Sequence, residues 1–595
     1  MSISYPLDSG FLIKNKRKLK KQYLADGVKR IKKKAAFLCG STANDIADMC
    51  ELFLLDNGIE PEFYCSEYNQ YWQDAVFGNP ELDAFNPDII YIYTTTRNIE
   101  KYFPAPADTK EKCESLLEEA KEHYRVMWEK LDEKFRCPII QNNFEYPRYR
   151  LMGNRDAFDY RGGVNLVNRM NAYIASYAAG RESFYINDAS YISACFGLDR
   201  WSDQSAWYMY KYAMAIDAIP EFAFNLANII KSVFGKNKKA LALDLDNTLW
   251  GGVVGDDGVE NLQLGEETAE AQAYLDFQKY LKKVKDTGIM LTVDSKNDYE
   301  NAITGLNHKD SVLKPEDFIV IKANWEPKNI NLTNIAAELN IGVDSMVFVD
   351  DNPAERHIVT STLPVSAPEM EGAENYIRLL DRNGFFESTS FSDEDLKRNE
   401  MYKANIQRER EIQSFGSYED YLYSLEMKAE IQGFIPVYIQ RIAQLTNKSN
   451  QFNVTTRRYT ASEIEEIASD GNYITLYGKL TDRFGDNGVV SVVIGHKNER
   501  ILCIDLWIMS CRVLKRDMEF AMLDALAKAA KEQGIEEIRG YYYPTAKNSM
   551  VRELFGTLGF ERISLDAEGN SEWALEIKDY NNKNRYITVE NGKET

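Results

Sequence analysis

The stretch ALALDLDNT at residues 240–248 decides the fold of the central part of this 595-residue chain. The run from Ala240 to Leu245, apolar except for Asp244, is typical of a buried β-strand, and Asp244 and Asp246 come where that strand ends. In open α/β sheets, ligands bind beside the carboxyl ends of the strands. Because an extended chain has a side-chain period of two, both carboxylates point the same way. The stretch therefore predicts an α/β domain with a carboxylate pair at a strand end.

This aspartate pair predicts phosphoryl-transfer chemistry. One carboxylate, Asp244, can attack phosphorus, while Asp246 protonates the leaving oxygen and later activates water. The division of labour needs no histidine, and the chain has only four histidines. Isolated D-x-D-x-T matches also occur at helix caps and in loops, so the assignment depends on further elements.

Three further polar elements follow in chain order. Ser295 follows an apolar run, Lys328 lies in the loop WEPKN at 325–329, and Asp350 follows another apolar run. Ser295 can hydrogen-bond a phosphoryl oxygen, Lys328 can neutralise its charge, and Asp350 can help to hold Mg²⁺. The predicted metal ligands are Asp244, Asp246 and Asp350, and the predicted substrate contacts are Thr248, Ser295 and Asn297.

The order and spacing of these elements resemble the haloacid dehalogenase superfamily of phosphotransferases over residues 239–379. Members of that superfamily often insert a cap domain after the first motif or between the second and third motifs. Here the intervals Thr248–Ser295 and Ser295–Lys328 are both short. The resemblance therefore implies a phosphatase with a small cap or none, whose site stays open to water and to large partners.

Longer phrases are similar to the FkbH-like family within that superfamily. They are LDLDNTLWGGVVGDDG at 243–258 and FVDDNPAER at 348–356, with further matches at 141–144, 450–459, 482–488 and 544–548. The resemblance implies an enzyme that takes 1,3-bisphosphoglycerate, removes phosphate and passes a glyceryl unit as a thioester to a phosphopantetheinylated acyl carrier protein. The product would enter polyketide or related assembly. An acyl phosphate is already activated toward a thiol, whereas a phosphate ester needs the aspartates and Mg²⁺, so two sites are expected.

For the acyl transfer, Cys511 is the candidate nucleophile, because a strand-end thiol beside Arg512, a candidate substrate contact, can have a depressed pKa. Cysteine is also commonly buried as a small apolar residue, and that alternative stays open. The segment 421–580 resembles a GNAT-type acetyltransferase, in which Asn548 fits the later motif and is a candidate substrate contact. Where that family has R-x-x-G-x-G/A, residues 512–517 read RVLKRD, and the added side chains would hinder a pyrophosphate. The segment is therefore expected to grip a pantetheine arm better than coenzyme A.

Residues 35–234 predict another α/β domain, which resembles an SGNH-type hydrolase at Gly40-Ser41. That resemblance would make Ser41 a nucleophile and Asn98 an oxyanion donor. The Asp-x-x-His pair that closes such a triad is missing, because residues 203–206 read DQSA. A structural or carrier-docking role is therefore favoured. A relict pocket lined by Glu67, Tyr68 and Trp72 is one interpretation of those side chains, and ordinary core packing is the other.

Length and composition set the broad class, a multidomain α/β protein with an α+β carboxyl-terminal domain. The predicted parts are a basic leader (1–34), the SGNH-like domain (35–234), the phosphatase domain (239–379), an exposed, charged helical connector (380–420), the GNAT-like domain (421–580) and a tail (581–595). The leader is either a docking surface for an acidic partner or a solvated helix. A net charge of −21 argues against nucleic acid as a partner. The apolar runs are too short to span a bilayer, so a cytoplasmic location is expected. The eight cysteines lack C-x-x-C spacing and are expected to be reduced thiols without a zinc site.

Two other functions remain open at this point. A simple phosphatase of a small phosphorylated metabolite would release phosphate without acyl transfer and without dependence on Cys511. A non-enzymatic scaffold of a biosynthetic complex would have no need of the five residues Asp244, Asp246, Ser295, Lys328 and Asp350, all of which are present.

Overall fold

The computed structural model describes residues 3–389, 391, 393–412, 415–449, 451–545 and 547–590, without the side chains of residues 393, 394, 409, 410, 448 and 511. The chain forms two compact units. The first comprises Met1–Lys236 with Glu387–Ser390, and the second comprises Asn237–Phe386 with Phe391–Thr595. Among the described residues, no helix combines the length and the apolar character needed to cross a membrane.

The first unit is built on a five-stranded parallel sheet in the order β2-β1-β3-β4-β5. Alternate residues of β1 enter different cores, with Phe37 packed on one face of the sheet and Leu38 on the other. This is the period-two pattern of a strand that helices cover on both faces. The strands are β1 (Ile31–Cys39), β2 (Ile59–Cys65), β3 (Ile89–Tyr93), β4 (Ile139–Asn142) and β5 (Phe184–Asn187). The helices are α1 (Ser9–Ala25), α2 (Asn44–Asp56), α3 (Tyr71–Val76), α4 (Pro80–Phe85), α5 (Thr96–Ile99), α6 (Lys110–Phe135), α7 (Gly163–Ala179), α8 (Ala189–Phe196), α9 (Leu198–Trp201), α10 (Gln204–Tyr210) and α11 (Ile219–Val233).

The basic leader contains helix α1, which belongs to the first unit. Leu12 and Leu19 are buried in the core that also contains α2. The ammonium of Lys16 lies 2.5 Å from Asp45 and 2.7 Å from Asp48 on α2. Because its apolar face is packed, α1 is not a fully solvated helix, and its role as a docking surface for an acidic partner stays a prediction.

The phosphatase part of the second unit has a four-stranded parallel sheet in the order β8-β7-β6-β9. Its strands are β6 (Ala240–Leu243), β7 (Met290–Ser295), β8 (Val320–Ala323) and β9 (Met346–Val349), and its helices are α12 (Val254–Asp257), α13 (Ala269–Asp286), α14 (Tyr299–Leu306), α15 (Lys328–Glu338), α16 (Pro353–Thr362) and α17 (Tyr376–Arg382). The register pairs Leu243 of β6 with Val293 of β7 and Val349 of β9. The residues that follow the carboxyl ends of β6, β7 and β9 therefore meet at one edge of the sheet. The stretch 248–328 is described throughout and holds no inserted cap domain.

The connector holds α18 (Asp393–Leu396) and α19 (Arg398–Ile412). The prediction of an exposed connector is wrong for α19, because Tyr402 and Ile406 are buried in the phosphatase core. On the other side of α19, Arg408 forms a buried ion pair of 2.6 Å with Asp482 of the carboxyl-terminal part. Helix α19 is thus fixed between the two parts of the second unit by apolar contacts and by this ion pair.

The carboxyl-terminal part is an α+β structure around one mixed sheet in the order β16-β17-β15-β14-β13-β12-β10-β18, with β11 paired to β14. Most pairs are antiparallel, and β14 pairs in parallel with β15 only from Ile501 to Cys503. Its strands are β10 (Lys428–Gln432), β11 (Phe452–Asn453), β12 (Tyr473–Asp482), β13 (Gly485–Asn498), β14 (Ile501–Met509), β15 (Glu537–Tyr542), β16 (Glu561–Leu565), β17 (Ser571–Glu576) and β18 (Thr588–Glu590), and its helices are α20 (Tyr418–Ser424), α21 (Ile439–Lys448), α22 (Ala461–Ser469), α23 (Met518–Glu532) and α24 (Leu554–Thr557). The two parallel sheets and this mixed sheet confirm the predicted fold class.

Candidate active site

The edge of the phosphatase sheet carries a lysine between two aspartates. The Nζ atom of Lys328 lies 2.8 Å from Oδ2 of Asp244 and 2.5 Å from Oδ2 of Asp350. Burial alone would lower the pKa of Lys328, but the charges of the two carboxylates outweigh it and raise the pKa above its usual value. The lysine is therefore a fixed cation beside the predicted nucleophile.

A cluster of three carboxylates can hold a metal ion. Asp244, Asp350 and Asp351 each offer an oxygen, and these atoms all lie within 4.8 Å of one another. Burial, and then the charge of Asp244, raises the pKa of Asp350 and of Asp351. A hard divalent cation would relieve this repulsion, and carboxylate oxygens are the ligands that Mg²⁺ prefers. The donor set therefore fits Mg²⁺, with Asp351 as a member that the sequence did not single out.

The carboxylate of Asp246 is oriented by three donors. Its Oδ1 accepts from the Trp250 indole at 2.8 Å and from the backbone N–H of Val254 at 3.1 Å, and its Oδ2 accepts from Asn297 at 2.9 Å. Burial raises the pKa of Asp246, which favours the protonated form that a general acid needs. The carboxylate of Asp246 is thus held in place by these donors, and its predicted role as a metal ligand stays a prediction.

The predicted phosphate contacts lie at the same edge. Thr248 is fully buried, and its hydroxyl accepts from the backbone N–H of Asp351 at 3.3 Å. Ser295 is the last residue of β7, and its carbonyl accepts from the N–H of Asn297 at 3.1 Å. The structure thus brings Thr248, Ser295 and Asn297 to the strand ends that carry the aspartates. Their contact with a substrate stays a prediction.

A buried hydrogen-bond network that sequence reasoning missed positions the loop before Lys328. Asp294 is fully buried and accepts from the Asn331 side chain at 3.1 Å, while Asn331 also donates to Asn324 at 2.9 Å. The N–H of Asn324 in turn donates to the carbonyl of Ser295 at 3.1 Å. Burial raises the pKa of Asp294 to about 7. The one sequence signal was a carboxylate at the end of an otherwise apolar run.

A family model described as the FkbH N-terminal domain matches residues 35–231. The crystal structure of the N-terminal part of the protein BF1531 from Bacteroides fragilis, which contains a phosphatase domain complexed with Mg, is 30% identical. That match covers 63% of this chain and 99% of the other, with a TM-score of 0.59. The chain belongs to the FkbH-like family.

Other comparisons are weaker. The ribosomal-protein-S18-alanine N-acetyltransferase from Escherichia coli is 11% identical, over 27% of this FkbH-like chain and 99% of its own, with a TM-score of 0.21. Ard1 from Thermoplasma volcanium is 19% identical, over 25% of this chain and 97% of its own, with a TM-score of 0.20. A comparison with curated proteins finds no match.

Cys511 and Arg512, which are predicted to take part in acyl transfer, lie in one turn of the carboxyl-terminal part of this FkbH-like protein. Cys511 begins a short 3₁₀ turn, Cys511–Val513, but its side chain lies outside the described structure, so its thiol role stays a prediction. Arg512 is buried, donates to the Ser510 hydroxyl at 3.1 Å and contacts the sulfur of Met401. Its guanidinium thus packs toward helix α19, and its contact with a substrate stays a prediction.

The predicted substrate contact Asn548 is fully buried. Its amide nitrogen donates to the carbonyls of Asn453 and Tyr543, both at 2.9 Å, and its amide oxygen accepts from the N–H of Thr545 at 2.7 Å. Strand β11 lies where β14 and β15 diverge, because Val454 donates to the Trp507 carbonyl and accepts from Tyr543. Asn548 therefore braces a chain segment that fills the opening between two strands. Its contact with a substrate stays a prediction.

The loop before α23 keeps a glycine-like backbone without glycine. Lys515 and Asp517 have φ values of 63° and 60°, a left-handed conformation that glycine adopts most readily. These are the two positions where the acetyltransferase pattern has small residues. Burial raises the pKa of Glu519, in the first turn of the helix, to about 7. The carboxylates of Asp517 and Glu519 lie at the amino-terminal end of α23, where a bound pyrophosphate would need positive charge.

The hydrolase-like residues of the first unit do not assemble a triad. Ser41 is fully buried, and its hydroxyl has no hydrogen-bond partner within the described structure. Asp203 caps α10 by accepting from the N–H groups of Ser205 and Ala206. The aspartate of the expected Asp-x-x-His pair is thus used in a helix cap, and an alanine, Ala206, stands at the position of the histidine base.

Proposed function

We propose that this protein is a cytoplasmic, Mg²⁺-dependent phosphatase that uses Asp244 as its nucleophile and that acts together with an acyl-transfer site in the same chain. The observation that carries the phosphatase proposal is the buried Lys328 ammonium between Asp244 and Asp350, beside the carboxylate cluster that Asp351 completes. The similarity to a phosphatase domain crystallised with Mg supports the choice of metal.

In the first half-reaction, an oxygen of Asp244 attacks phosphorus and the bond from phosphorus to the leaving oxygen breaks. Asp246 gives its proton to that oxygen, and the resulting carboxylate is stabilised by Trp250, Val254 and Asn297. In the second half-reaction, Asp246 takes a proton from water, whose oxygen attacks phosphorus; the bond from phosphorus to the Asp244 oxygen breaks, which releases inorganic phosphate and restores the Asp244 carboxylate.

Charge neutralisation is the other requirement of this chemistry. Lys328 supplies one positive charge beside the nucleophile, and Mg²⁺ held by Asp244, Asp350 and Asp351 would supply two more at the transferring phosphoryl group. We expect Thr248, Ser295 and Asn297 to orient the phosphoryl oxygens. Because no cap domain is inserted between the described residues 248 and 328, a carrier-bound substrate could reach the strand ends.

We further propose that the substrate is a three-carbon unit derived from 1,3-bisphosphoglycerate. The thiol of the pantetheine arm of an acyl carrier protein attacks the acyl carbon and displaces phosphate, either directly or after transfer through Cys511. The family membership supports this finer assignment, and the carboxylates near the start of α23 favour a donor or acceptor without a pyrophosphate. A simple phosphatase without acyl transfer is the alternative, and a non-enzymatic scaffold fits the assembled carboxylate cluster least well.

The test is intact-protein mass spectrometry after mixing the enzyme, Mg²⁺, freshly generated 1,3-bisphosphoglycerate and a phosphopantetheinylated carrier. Wild type is compared with Asp244→Asn, Cys511→Ala and, as a matched control, the exposed Asp286→Asn. A glyceryl mass on the carrier with wild type and Asp286→Asn, a phosphoglyceryl mass with Asp244→Asn and no transfer with Cys511→Ala would support both sites. Phosphate release without any gain of mass would reduce the proposal to a simple phosphatase.

A further inference from the structure

The first unit contains a cavity of about 520 Å³ that none of the phosphatase chemistry uses. It opens beside Gly40 and Asn98, at the carboxyl ends of β1 and β3, which is the ligand-binding edge of a parallel sheet. Its lining residues are Gly40, Tyr68, Asn69, Tyr71, Trp72, Gln73, Arg97, Asn98, Lys101, His123 and Trp207. The volume lies within the range of small-molecule sites.

The charge of this lining is opposite to that of the protein. The whole chain carries 92 acidic and 71 basic residues, yet the lining includes Arg97 and Lys101 and has no acidic residue among the described side chains. Outside the lining, the exposed carboxylate of Glu100 lies 3.5 Å from Arg97. Two cations in a pocket without a lining acid select for an anion.

The walls are aromatic and already arranged. The rings of Trp72 and His123 stack with centroids 5.3 Å apart and an interplanar angle of 11°, and Nε2 of His123 lies 3.0 Å from the Tyr71 hydroxyl. Burial, and then the charge of Lys101, lowers the pKa of His123 to about 4, so its ring is neutral at pH 7. A positive charge comes from Arg97, whose guanidinium carbon lies 4.5 Å from the centroid of the Trp207 ring. The pocket thus offers flat apolar surfaces together with fixed cations.

A glycine gives this pocket its polar end. A Cβ atom at position 40 would lie 2.5 Å from Nδ2 of Asn98, too close for any other residue. The Asn98 amide therefore rests against the backbone and donates to the Gly40 carbonyl at 3.1 Å. With Ser41 buried and no histidine at position 206, the pocket keeps a binding surface but lacks an accessible nucleophile and base.

We infer that this cavity binds a small organic phosphate that carries a ring, with the phosphate against Arg97 and Lys101 and the ring against the aromatic wall. A phosphate monoester carries a charge of about −1.5 to −2 at pH 7 and three acceptor oxygens, which matches two cations and the side-chain amides. The ring accounts for Tyr68, Trp72 and Trp207, which a three-carbon phosphate would leave uncovered. This site is separate from the proposed phosphatase reaction.

The experiment is calorimetric titration of the full chain with AMP as the probe, in the Asp244→Asn background without Mg²⁺ so that phosphatase turnover is prevented. Adenosine and glycerol phosphate serve as probes that keep only the ring or only the phosphate. We expect AMP to bind with a Kd below about 1 mM and about tenfold more tightly than either partial probe. We expect Lys101→Gln to weaken AMP about tenfold.

The exposed Lys130→Gln on α6 is the matched control and should leave the Kd unchanged. Trp72→Leu should weaken AMP and adenosine alike, because it removes stacking surface and leaves Arg97 and Lys101 in place. Lys101 is exposed, so its replacement should leave the fold intact, and circular dichroism checks this. The inference is overturned if AMP binds no more tightly than adenosine, if it does not bind at about 5 mM, or if folded Lys101→Gln binds it as the parent does.

Discussion

The ammonium nitrogen of Lys328 lies 2.5 Å from Oδ2 of Asp350, and both side chains are buried. A buried lysine at this distance from two carboxylates takes the place of part of the charge that a metal ion would bring. It therefore contributes both to the stability of the metal-free protein and to the proposed stabilisation of the phosphoryl group.

Replacing this lysine separates the two roles. We expect Lys328→Met to lower the free energy of unfolding by about 3–5 kcal/mol without Mg²⁺, because it leaves two buried carboxylates without their counter-charge. Mg²⁺ should restore part of this loss by binding the folded state, although phosphatase turnover should not return. Urea unfolding with and without Mg²⁺ measures the effect. The control is Lys296→Met, which removes an exposed lysine paired with Glu355, and equal losses in both variants would contradict the prediction.

Asp351 gives a second prediction. If Asp351 is a metal ligand, Asp351→Asn should raise the Mg²⁺ concentration needed for half-maximal activity by at least about tenfold. Replacement of even an outer-shell partner of a metal site commonly lowers the metal affinity by that factor. Magnesium titration of phosphatase activity and direct calorimetry should agree. The exposed Asp256→Asn should behave as wild type, and an unchanged Mg²⁺ affinity in Asp351→Asn would remove this residue from the site.

Much of the phosphatase site could be predicted from the sequence, because it depends on where strands end. The apolar runs before Asp244 and Asp350 fix two neighbouring strand ends, and parallel register then brings those carboxylates together. Asp351 could not be chosen in the same way, since two adjacent aspartates do not reveal which oxygens converge. The bonds from Trp250 and Asn297 to Asp246 depend on loop geometry that no local pattern encodes.

Longer-range packing was predicted less well. The charged composition of α19 indicated an exposed connector, yet Tyr402 and Ile406 fill the phosphatase core. Likewise, a motif around Asn453 that resembled a family signature proved to fill the gap between β14 and β15, and its pairing with β14 joins residues 55 to 57 positions apart. Such contacts are decided by which surfaces meet in three dimensions, and a single sequence does not contain that information directly.

The titration of Glu519 predicts a stability that depends on pH. Burial raises the pKa of this carboxyl to about 7, whereas the unfolded value is about 4.3. Between these values the folded state binds more protons than the unfolded state, so stability falls as pH rises from about 4.3 to about 7 and is constant above. The loss is up to about 4 kcal/mol.

Glu519→Gln should abolish this contribution, and the variant should be more stable than wild type at pH 8 but not at pH 4. Denaturant unfolding at the two pH values, followed by far-ultraviolet circular dichroism, measures it. The exposed Glu532→Gln at the end of α23 is the control. If the free energy of unfolding differed between wild type and Glu519→Gln by the same amount at both pH values, the buried carboxyl would not titrate in this range.

Asn548 distinguishes a bracing role from substrate binding. Its side chain makes hydrogen bonds to Asn453, Tyr543 and Thr545 while fully buried. Asn548→Ala would leave these backbone groups without partners, so we expect the free energy of unfolding to fall by about 2–4 kcal/mol. The exposed Asn581→Ala should cost less than about 0.5 kcal/mol. If Asn548→Ala instead kept full stability but raised the KM for the carrier protein, Asn548 would be a substrate contact and β11 would have to move aside during acyl transfer.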